Sequence, residues 1–193
     1  MKQPRPLSRG ILVPIGEPEL AVQVLLHAIG ENIERDGLID TPARVVKALR
    51  EMTEGYRMDP QKILSKRFDV VSTEPVWLRR IDFTSLCEHH LLPFVGTAVV
   101  GYLPGDTVIG LSKLARLVEC FARRLQVQER MTEQIATALM EHGGARGSAV
   151  MIRAHHSCMG CRGVRQQSAE MVTTCSLGEM QNDPLSHAQL FAT

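Results

Sequence analysis

The sequence predicts an α+β domain in which two helices cover one face of an antiparallel sheet, with a helical hairpin in front of it. The order of the periodic segments is the first reason, since strand-like stretches stand on both sides of a pair of amphipathic helices. The composition is the second reason. Hydrophobic residues make up 44% of the chain, which is enough for a packed core and argues against a disordered protein.

The N-terminal region is predicted to be an extended arm followed by two helices. The arm is residues 1–18, which contain several prolines. Apolar residues recur at helical spacing from Glu19, and Gly37 is predicted to end this first helix. Thr41 is predicted to be the N-cap of the second helix, because a proline follows it, and this helix is predicted to stop near Gly55.

The rest of the chain is predicted to form the sheet and its two helices. The hairpin is placed at 19–60 and the sheet domain at 61–193. Apolar runs and alternation predict strands at 68–72, 77–83, 95–103, 108–111, 149–154 and 163–174. Apolar residues that share a helical face predict helices over 114–125 and 131–139. Such a sheet has open edges, so we expect copies of the chain to associate and cover them.

Charge, hydropathy and cysteine content argue against several classes of protein. The 22 Lys and Arg residues nearly balance 21 Asp and Glu residues, which argues against a nucleic-acid partner bound through bulk charge. No apolar run approaches the roughly 18 residues of a membrane span, and the N-terminus has no signal-peptide core. Five cysteines, an odd number, do not suggest a disulfide framework. We therefore expect a cytoplasmic protein with no nucleic-acid and no membrane partner.

Two short segments concentrate side chains that bind metals. Cys87 and His90 are separated by two residues, a common spacing of metal ligands, and Cys158 lies in a second such segment far downstream. A Cys-His-Cys set leaves the fourth tetrahedral position of zinc open for water, which is typical of a catalytic site. Thiolate and imidazole ligands favour zinc over magnesium or calcium. On spacing alone, a metal site and ordinary packing both remain open, and for Cys120 and Cys175 buried packing is the better interpretation.

Six segments, in order along the chain, resemble motifs of the GTP cyclohydrolase I family. They include Cys-Glu-His-His at 87–90, and the others are 41–47, 108–116, 126–130, 156–163 and 173–178. The resemblance covers about residues 19 to 180. It implies a tunnelling fold, in which an antiparallel sheet with two helices follows a helical hairpin. It also implies a homodecamer of two stacked pentameric rings, with active sites between subunits.

The family's reaction assigns roles to the metal-binding segments. The resemblance implies that Cys87, His90 and Cys158 bind zinc, and that zinc-activated water opens the guanine imidazole ring of GTP at C8. Formate leaves and the ring closes to dihydroneopterin triphosphate, a step of pterin and tetrahydrofolate biosynthesis in one-carbon metabolism. His156 is predicted to protonate N7, since a strand would place it on the same face as Cys158. His89 is assigned to later proton transfers, which Ser112 assists.

The same resemblance assigns the contacts to GTP. Five cations are expected at the triphosphate: Arg44, Lys47, Lys113, Arg116 and Arg162. Glu129 is expected to accept hydrogen bonds from N1-H and the 2-amino group of guanine, which adenine lacks, with Gln128 beside it. Taken alone, each cation is more simply a solvated surface charge. Likewise, Glu129 alone is more simply an exposed residue that the helix dipole favours in a first turn.

Two alternatives to this interpretation and three departures from the family pattern remain. One alternative is the tunnelling-fold nitrile reductase, which lacks the paired zinc segments. The other is a non-catalytic zinc-binding module, in which Cys161 would close the fourth coordination position. Cys161 is an additional thiol, and Ser157 stands where relatives often have a larger residue. The tail after Gly178 matches the family poorly and receives no assignment.

Overall fold

The computed structural model describes residues 17–70 and 72–192 in two compact units that divide between Glu51 and Met52. Helix α1 (Pro18–Ala28) lies in the first unit, and helix α2 (Thr41–Met52) begins there. The predicted N-terminal arm falls almost wholly outside the described residues. The boundaries predicted for the hairpin and the sheet domain stay predictions. Within the described residues, no helix has the length and apolar character needed to cross a bilayer.

Helix α1 is shorter than its apolar pattern predicts. The helix ends at Ala28, and Gly30 then takes φ 89°, a left-handed conformation that favours glycine and is common just after a helix. The prediction that the helix continues to Gly37 is therefore wrong. No residue of α1 is buried, and Leu25 is 66% exposed. Its apolar pattern thus predicted a helix whose apolar side chains remain largely exposed.

Helix α2 begins one residue earlier than predicted. Thr41 is its first residue rather than its N-cap, and the Thr41 hydroxyl donates to the carbonyl of Gly37 at 3.3 Å. Asp40 precedes the helix, and its carboxylate pairs with Arg44 at 3.0 Å. An aspartate at this position suits the helix N-terminus, where its charge complements the macrodipole. The helix ends at Met52, three residues before the predicted end near Gly55.

The second unit contains the sheet predicted from the alternating segments. Its strands are β1 (Arg67–Phe68), β2 (Val76–Cys87), β3 (Pro93–Pro104), β4 (Val108–Ile109), β5 (Leu125–Gln126), β6 (Ala145–His156) and β7 (Met171–Gly178). Five strands form one sheet in the order β5-β2-β3-β6-β7, and β1 pairs with β4 in a separate ribbon. All pairs are antiparallel except the short parallel pair of β2 with β5. The predicted α+β class is confirmed.

Helices pack on both faces of this sheet. The helices after α2 are α3 (Pro60–Leu64), α4 (Leu111–Ala122), α5 (Gln128–His142), α6 (Ser157–Gly160) and α7 (Pro184–Phe191). Alternate residues of β6 point to opposite faces, so Val150 and Ile152 join the main core with α4 and α5. Met151 instead packs with Leu190 of α7 in a smaller cluster. The two predicted helices thus cover one face, and α7, which was not predicted, lies on the other.

The chain between β6 and β7 differs from its prediction. The strand predicted over 163–174 begins only at Met171, and residues 163–170 lie outside any strand. Gly163 and Arg165 take φ values of 60° and 53°, which a strand does not accommodate. Upstream, β6 runs through His156 and the chain then turns into the short helix α6. The predicted strands 68–72 and 108–111 are also shortened, to β1 and β4.

Candidate functional site

Three predicted metal ligands lie together at one end of the sheet. The ligand atoms of Cys87, His90 and Cys158 are within 4.8 Å of one another. Cys87 ends β2, His90 lies in the turn that follows, and Cys158 lies on α6. The Cys87 Sγ is 3.7 Å from the His90 Nδ1, which places this nitrogen on the side of the thiols. Two sulfur atoms and one imidazole nitrogen form a donor set suited to a borderline-soft metal ion.

A tight turn after β2 brings His90 back towards Cys87. The Cys87 N–H donates to the Leu92 carbonyl at 2.9 Å, and the Leu91 N–H donates to the Cys87 carbonyl at 2.9 Å. Leu91 takes φ 55°, an uncommon conformation for a residue with a side chain. Backbone hydrogen bonds on both sides of this residue hold it there. The hydrogen-bonded backbone of this turn therefore holds Cys87 and His90 close together, before their side-chain rotamers are considered.

Glu88 anchors this turn to the start of α5. Its carboxylate accepts a hydrogen bond from Arg130, and its N–H donates to the Gln126 carbonyl at 3.1 Å. Arg130 holds the pKa of the Glu88 carboxyl below its ordinary value, chiefly through this hydrogen bond. Both residues lie inside the recognised motifs, yet sequence reasoning gave neither a role. The motif itself was the only available signal, since no spacing rule pairs a residue of a turn with a helix so far along the chain.

Cys158 reaches the cluster from a helical turn and not from a strand. Strand β6 ends at His156, and the Cys161 N–H then donates to the Ser157 carbonyl at 2.9 Å, which closes the turn. The argument that His156 and Cys158 share one face of a strand is therefore wrong. Burial, reinforced by the adjacent Cys87 thiol, raises the pKa of Cys158. A bound cation would oppose this shift, because thiolates are the metal-binding form.

His156 has a fixed place beside the cluster. Its ring stacks on Phe94 with the centroids 4.4 Å apart and the planes 6° from parallel. Its Nε2 lies 2.8 Å from the Oε1 of Gln128. Burial lowers the pKa of His156, partly opposed by the charge of Glu129. Phe94 was missed by sequence reasoning, because a core aromatic in a strand has no pattern that reveals its neighbour.

Gln128 is fully buried, with its side-chain polar atoms all bonded to protein groups. Its Nε2 lies 3.1 Å from the Ile152 carbonyl, 3.0 Å from the Met171 carbonyl and 3.1 Å from the Thr173 hydroxyl. The expected contact between Gln128 and substrate stays a prediction, but this amide already has partners. Thr173 was not identified from the sequence, because it lies on a strand 45 residues further along the chain.

Three other predicted site residues lie at the edge of this region. His89 is exposed, and its Nδ1 is 3.9 Å from the Cys87 Sγ. Arg162 is exposed, and one of its guanidinium nitrogens lies 3.2 Å from the His90 Nε2. Glu129 is exposed in the first turn of α5. Cys161 is also exposed and is not part of the group of ligand atoms, so within the described residues the cluster has three protein ligands and no fourth.

The remaining predicted residues lie on α2 and α4. On α4, Ser112, Lys113 and Arg116 make no hydrogen bond or ion pair with the cluster in the described part of the chain. Arg116 lines a cleft of about 610 Å³ formed by residues of α4 and β2. On α2, in the first unit, Arg44 pairs with Asp40, and Lys47 lies 3.9 Å from Glu51. Within the described residues of the second unit, neither Lys113 nor Arg116 contacts the metal-binding group.

The sequence is similar to known proteins along nearly its whole length. The family described as GTP cyclohydrolase I matches residues 19–193. GTP cyclohydrolase 1 of Bifidobacterium longum (strain NCC 2705) is 51% identical over 170 residues, which cover 88% of this chain and 85% of that protein. GTP cyclohydrolase 1 of Campylobacter lari is 48% identical over 174 residues, which cover 90% and 92%.

One solved structure, of the archaeosine synthase QueF-Like in the apo form, aligns over 56% of this chain and 97% of its own. Its TM-score is 0.46 at 14% sequence identity. The sequence matches extend over both units and include every segment of the candidate site. The chain therefore belongs to the GTP cyclohydrolase I family.

Proposed function

We propose that this chain is a GTP cyclohydrolase I, which opens the imidazole ring of GTP, releases formate and forms dihydroneopterin triphosphate. Family membership over residues 19–193 supports this reaction. The observation that carries it is the convergence of Cys87, His90 and Cys158 within 4.8 Å, from segments far apart in the sequence. Neither the nitrile reductase nor the zinc-binding module receives comparable support.

Zinc is the metal that we propose for this group. The donors are two thiols and one imidazole, which zinc accepts and which magnesium and calcium do not favour. Since the described residues supply three ligands and no fourth, one coordination position is left for water or substrate. Zinc bound there would supply the Lewis acidity that lowers the pKa of a water molecule towards neutrality, for attack at C8.

His156 is proposed to give the proton that makes C8 electrophilic, by protonating N7. Its ring is half-buried, stacked on Phe94 and held through its Nε2, so its orientation beside the metal-binding group is fixed before substrate binds. His89 is proposed for later proton transfers, because it is exposed and close to Cys87. Ser112 is proposed to assist them, on the family resemblance alone.

Recognition of GTP is proposed to divide between a carboxylate and a set of cations. Glu129 would accept the N1-H and 2-amino hydrogens of guanine, and its exposed position at the start of α5 leaves it free to do so. Arg162, beside His90, would bind the triphosphate nearest the metal. The other proposed phosphate ligands are exposed or partly exposed: Arg44, Lys47, Lys113 and Arg116.

We propose that the active enzyme is a homodecamer of two pentameric rings. The edges of the sheet support association: within the described residues, β7 pairs only with β6, and β5 covers only the last residues of β2. Edge strands with unpaired backbone N–H and C=O groups are usually paired with another strand or covered. The proposed compartment is the cytoplasm, and the five cysteines, all free in the structure, are compatible with its reducing conditions.

The deciding experiment incubates zinc-loaded protein with GTP and follows formate, the pterin product and zinc content. Wild type is expected to yield both products, and Cys87→Ser is expected to lose zinc and both products. Cys161→Ser is the matched control, because Cys161 is exposed and outside the ligand group. It should keep one zinc per chain. Zinc-loaded wild type that leaves GTP intact would overturn the proposal and favour the zinc-binding module, as would loss of zinc from Cys161→Ser.

A further inference from the structure

A closed chain of hydrogen bonds joins the side chain of Gln128 to its own backbone through two threonines. The Thr132 hydroxyl donates its single proton to the Gln128 carbonyl at 2.7 Å. In the 2.7 Å contact between the two threonine hydroxyls, Thr173 must therefore be the donor. The Thr173 oxygen is then left to accept from the Gln128 Nε2 at 3.1 Å. The order of donors and acceptors thus requires that the amide nitrogen of Gln128, and not its oxygen, faces Thr173.

Two backbone carbonyls assign the same orientation independently. The Gln128 Nε2 lies 3.1 Å from the Ile152 oxygen and 3.0 Å from the Met171 oxygen, and carbonyls only accept. The two hydrogens of Nε2 are shared among these two carbonyls and the Thr173 oxygen. A flipped amide would bring its oxygen against both carbonyls inside the core, where unpaired acceptors are costly. The amide oxygen of Gln128 must therefore face His156.

This orientation determines which nitrogen of His156 carries the hydrogen. The Gln128 Oε1 is an acceptor, so the His156 Nε2 at 2.8 Å must donate to it. The stack on Phe94, at 6° between planes, sets the plane of the ring, and the bond to Gln128 sets its rotation within that plane. We propose that Gln128, locked by Thr173 and Thr132, is a positioning residue that holds His156 as the Nε2–H tautomer and leaves Nδ1 as the nitrogen that faces substrate.

The inference deepens the proposed function, on which its catalytic half rests. Nε2 keeps its hydrogen on Gln128, so any proton that His156 exchanges with the guanine passes through Nδ1. The same ring geometry therefore serves before and after transfer, since the bond to Gln128 does not need to break.

The structural half is tested by solid-state NMR on the zinc-loaded protein with ¹⁵N-labelled histidine, a method that a large assembly does not impede. The chain has seven histidines, so the His156 ring signals are assigned by their loss in His156→Asn. We expect the Nε2–H tautomer in wild type and a substantial Nδ1–H population in Gln128→Leu. An Nδ1–H ring in wild type, or an unchanged tautomer in Gln128→Leu, would overturn the inference whether or not GTP is the substrate.

The catalytic half is tested by the kinetics of the same variants with GTP. Gln128→Leu is expected to lower kcat roughly 10- to 100-fold with KM within about twofold of wild type. Thr173→Val should lower kcat in the same direction, and Thr173→Ser, which keeps the hydroxyl, should recover it. Thr174→Val is the matched control, because Thr174 is exposed on the same strand.

The two kinetic parameters separate a positioning role from a substrate contact. A rise in KM with kcat retained would mean that Gln128 contacts GTP directly, and the inference would fall. If Gln128→Leu does not fold, as judged by thermal unfolding and zinc content, the Thr173 pair carries the test, and equal kcat in Thr173→Val and Thr173→Ser would overturn it. Wild type without GTP turnover would refute the proposed function, while the tautomer measurement would still decide the positioning role.

Discussion

Replacing Phe94 with leucine should separate the stability that this ring provides from its effect on His156. Phe94 is fully buried and makes two aromatic contacts, an edge contact with Phe83 at 5.9 Å and the stack on His156 at 4.4 Å. Each such contact stabilises a folded protein by about 0.5–1.5 kcal/mol beyond its area burial. Phe94→Leu removes both contacts, so the free energy of unfolding should fall by about 1–3 kcal/mol.

The matched variant is Phe83→Leu, which removes only the edge contact. It should destabilise by about 0.5–1.5 kcal/mol from the lost aromatic pair, and it leaves the ring that supports His156 in place. Urea unfolding at fixed protein concentration measures both values, and turnover of GTP is measured beside them. The expected pattern is a drop in kcat for Phe94→Leu that is several times larger than for Phe83→Leu.

Two results would refute this reasoning. Equal loss of kcat in the two variants would mean that the Phe94 ring does not hold His156 in place. A double-mutant cycle between Phe94→Leu and Phe83→Leu without coupling energy would mean that the edge contact contributes no stability of its own.

Three further predictions use other features of the fold. Arg130→Met removes the ion pair that holds the turn after Cys87, so we expect zinc affinity to fall roughly 10- to 100-fold in a chelator competition; unchanged affinity would exclude an anchoring role. The hydrogen bonds at the start of α7 hold the pKa of Asp183 below its ordinary value, so its stabilisation is present above the unfolded pKa and is lost as pH falls through the folded pKa. Thermal unfolding between about pH 2 and 6 should therefore show a steeper acid loss in wild type than in Asp183→Asn, which retains a capping oxygen, and parallel curves would contradict this. Gly178→Ala should destabilise more than Gly163→Ala, since both have φ 60° but only at Gly178 would the new Cβ meet backbone, at 2.3 Å; equal unfolding midpoints would show that the sheet relaxes around the methyl group.

The sheet and the long helices could be predicted because their signal is periodic. The apolar faces of α4 and α5 recur every three or four residues, and this pattern survives whatever packs against it. Helix α7, on the opposite face of the sheet, has no strong apolar pattern, since only Ser186 and Leu190 are buried along it. Left-handed backbone at Arg165 excludes the first residues of the predicted strand 163–174, and arginine gives no sequence signal for that conformation.

Some residues of the candidate site could likewise be predicted from the sequence, and others could not. Cys87, His90 and Cys158 could be selected from the sequence because thiol and imidazole side chains are rare and were clustered in family motifs. The network around Gln128 could not, because its partners lie on β6 and β7 and become neighbours only when the sheet forms. Hydrogen-bond partners at such separations leave no local pattern, and the resemblance alone placed Gln128 at the substrate.

The first turn of α5 has a consequence for how this segment can vary. Gln128 points into the core towards His156, Glu129 points to solvent, and Arg130 reaches back to the turn that carries His90. Successive residues of an α-helix are rotated by about 100° about its axis. The helix therefore fixes the directions of these three side chains relative to one another. Inserting or deleting a residue between Gln128 and Arg130 would rotate the side chains after the change by about 100° relative to those before it, so at least one of the three would lose its present surroundings. Within this stretch, changes of chain length should therefore be excluded far more strictly than changes of side chain.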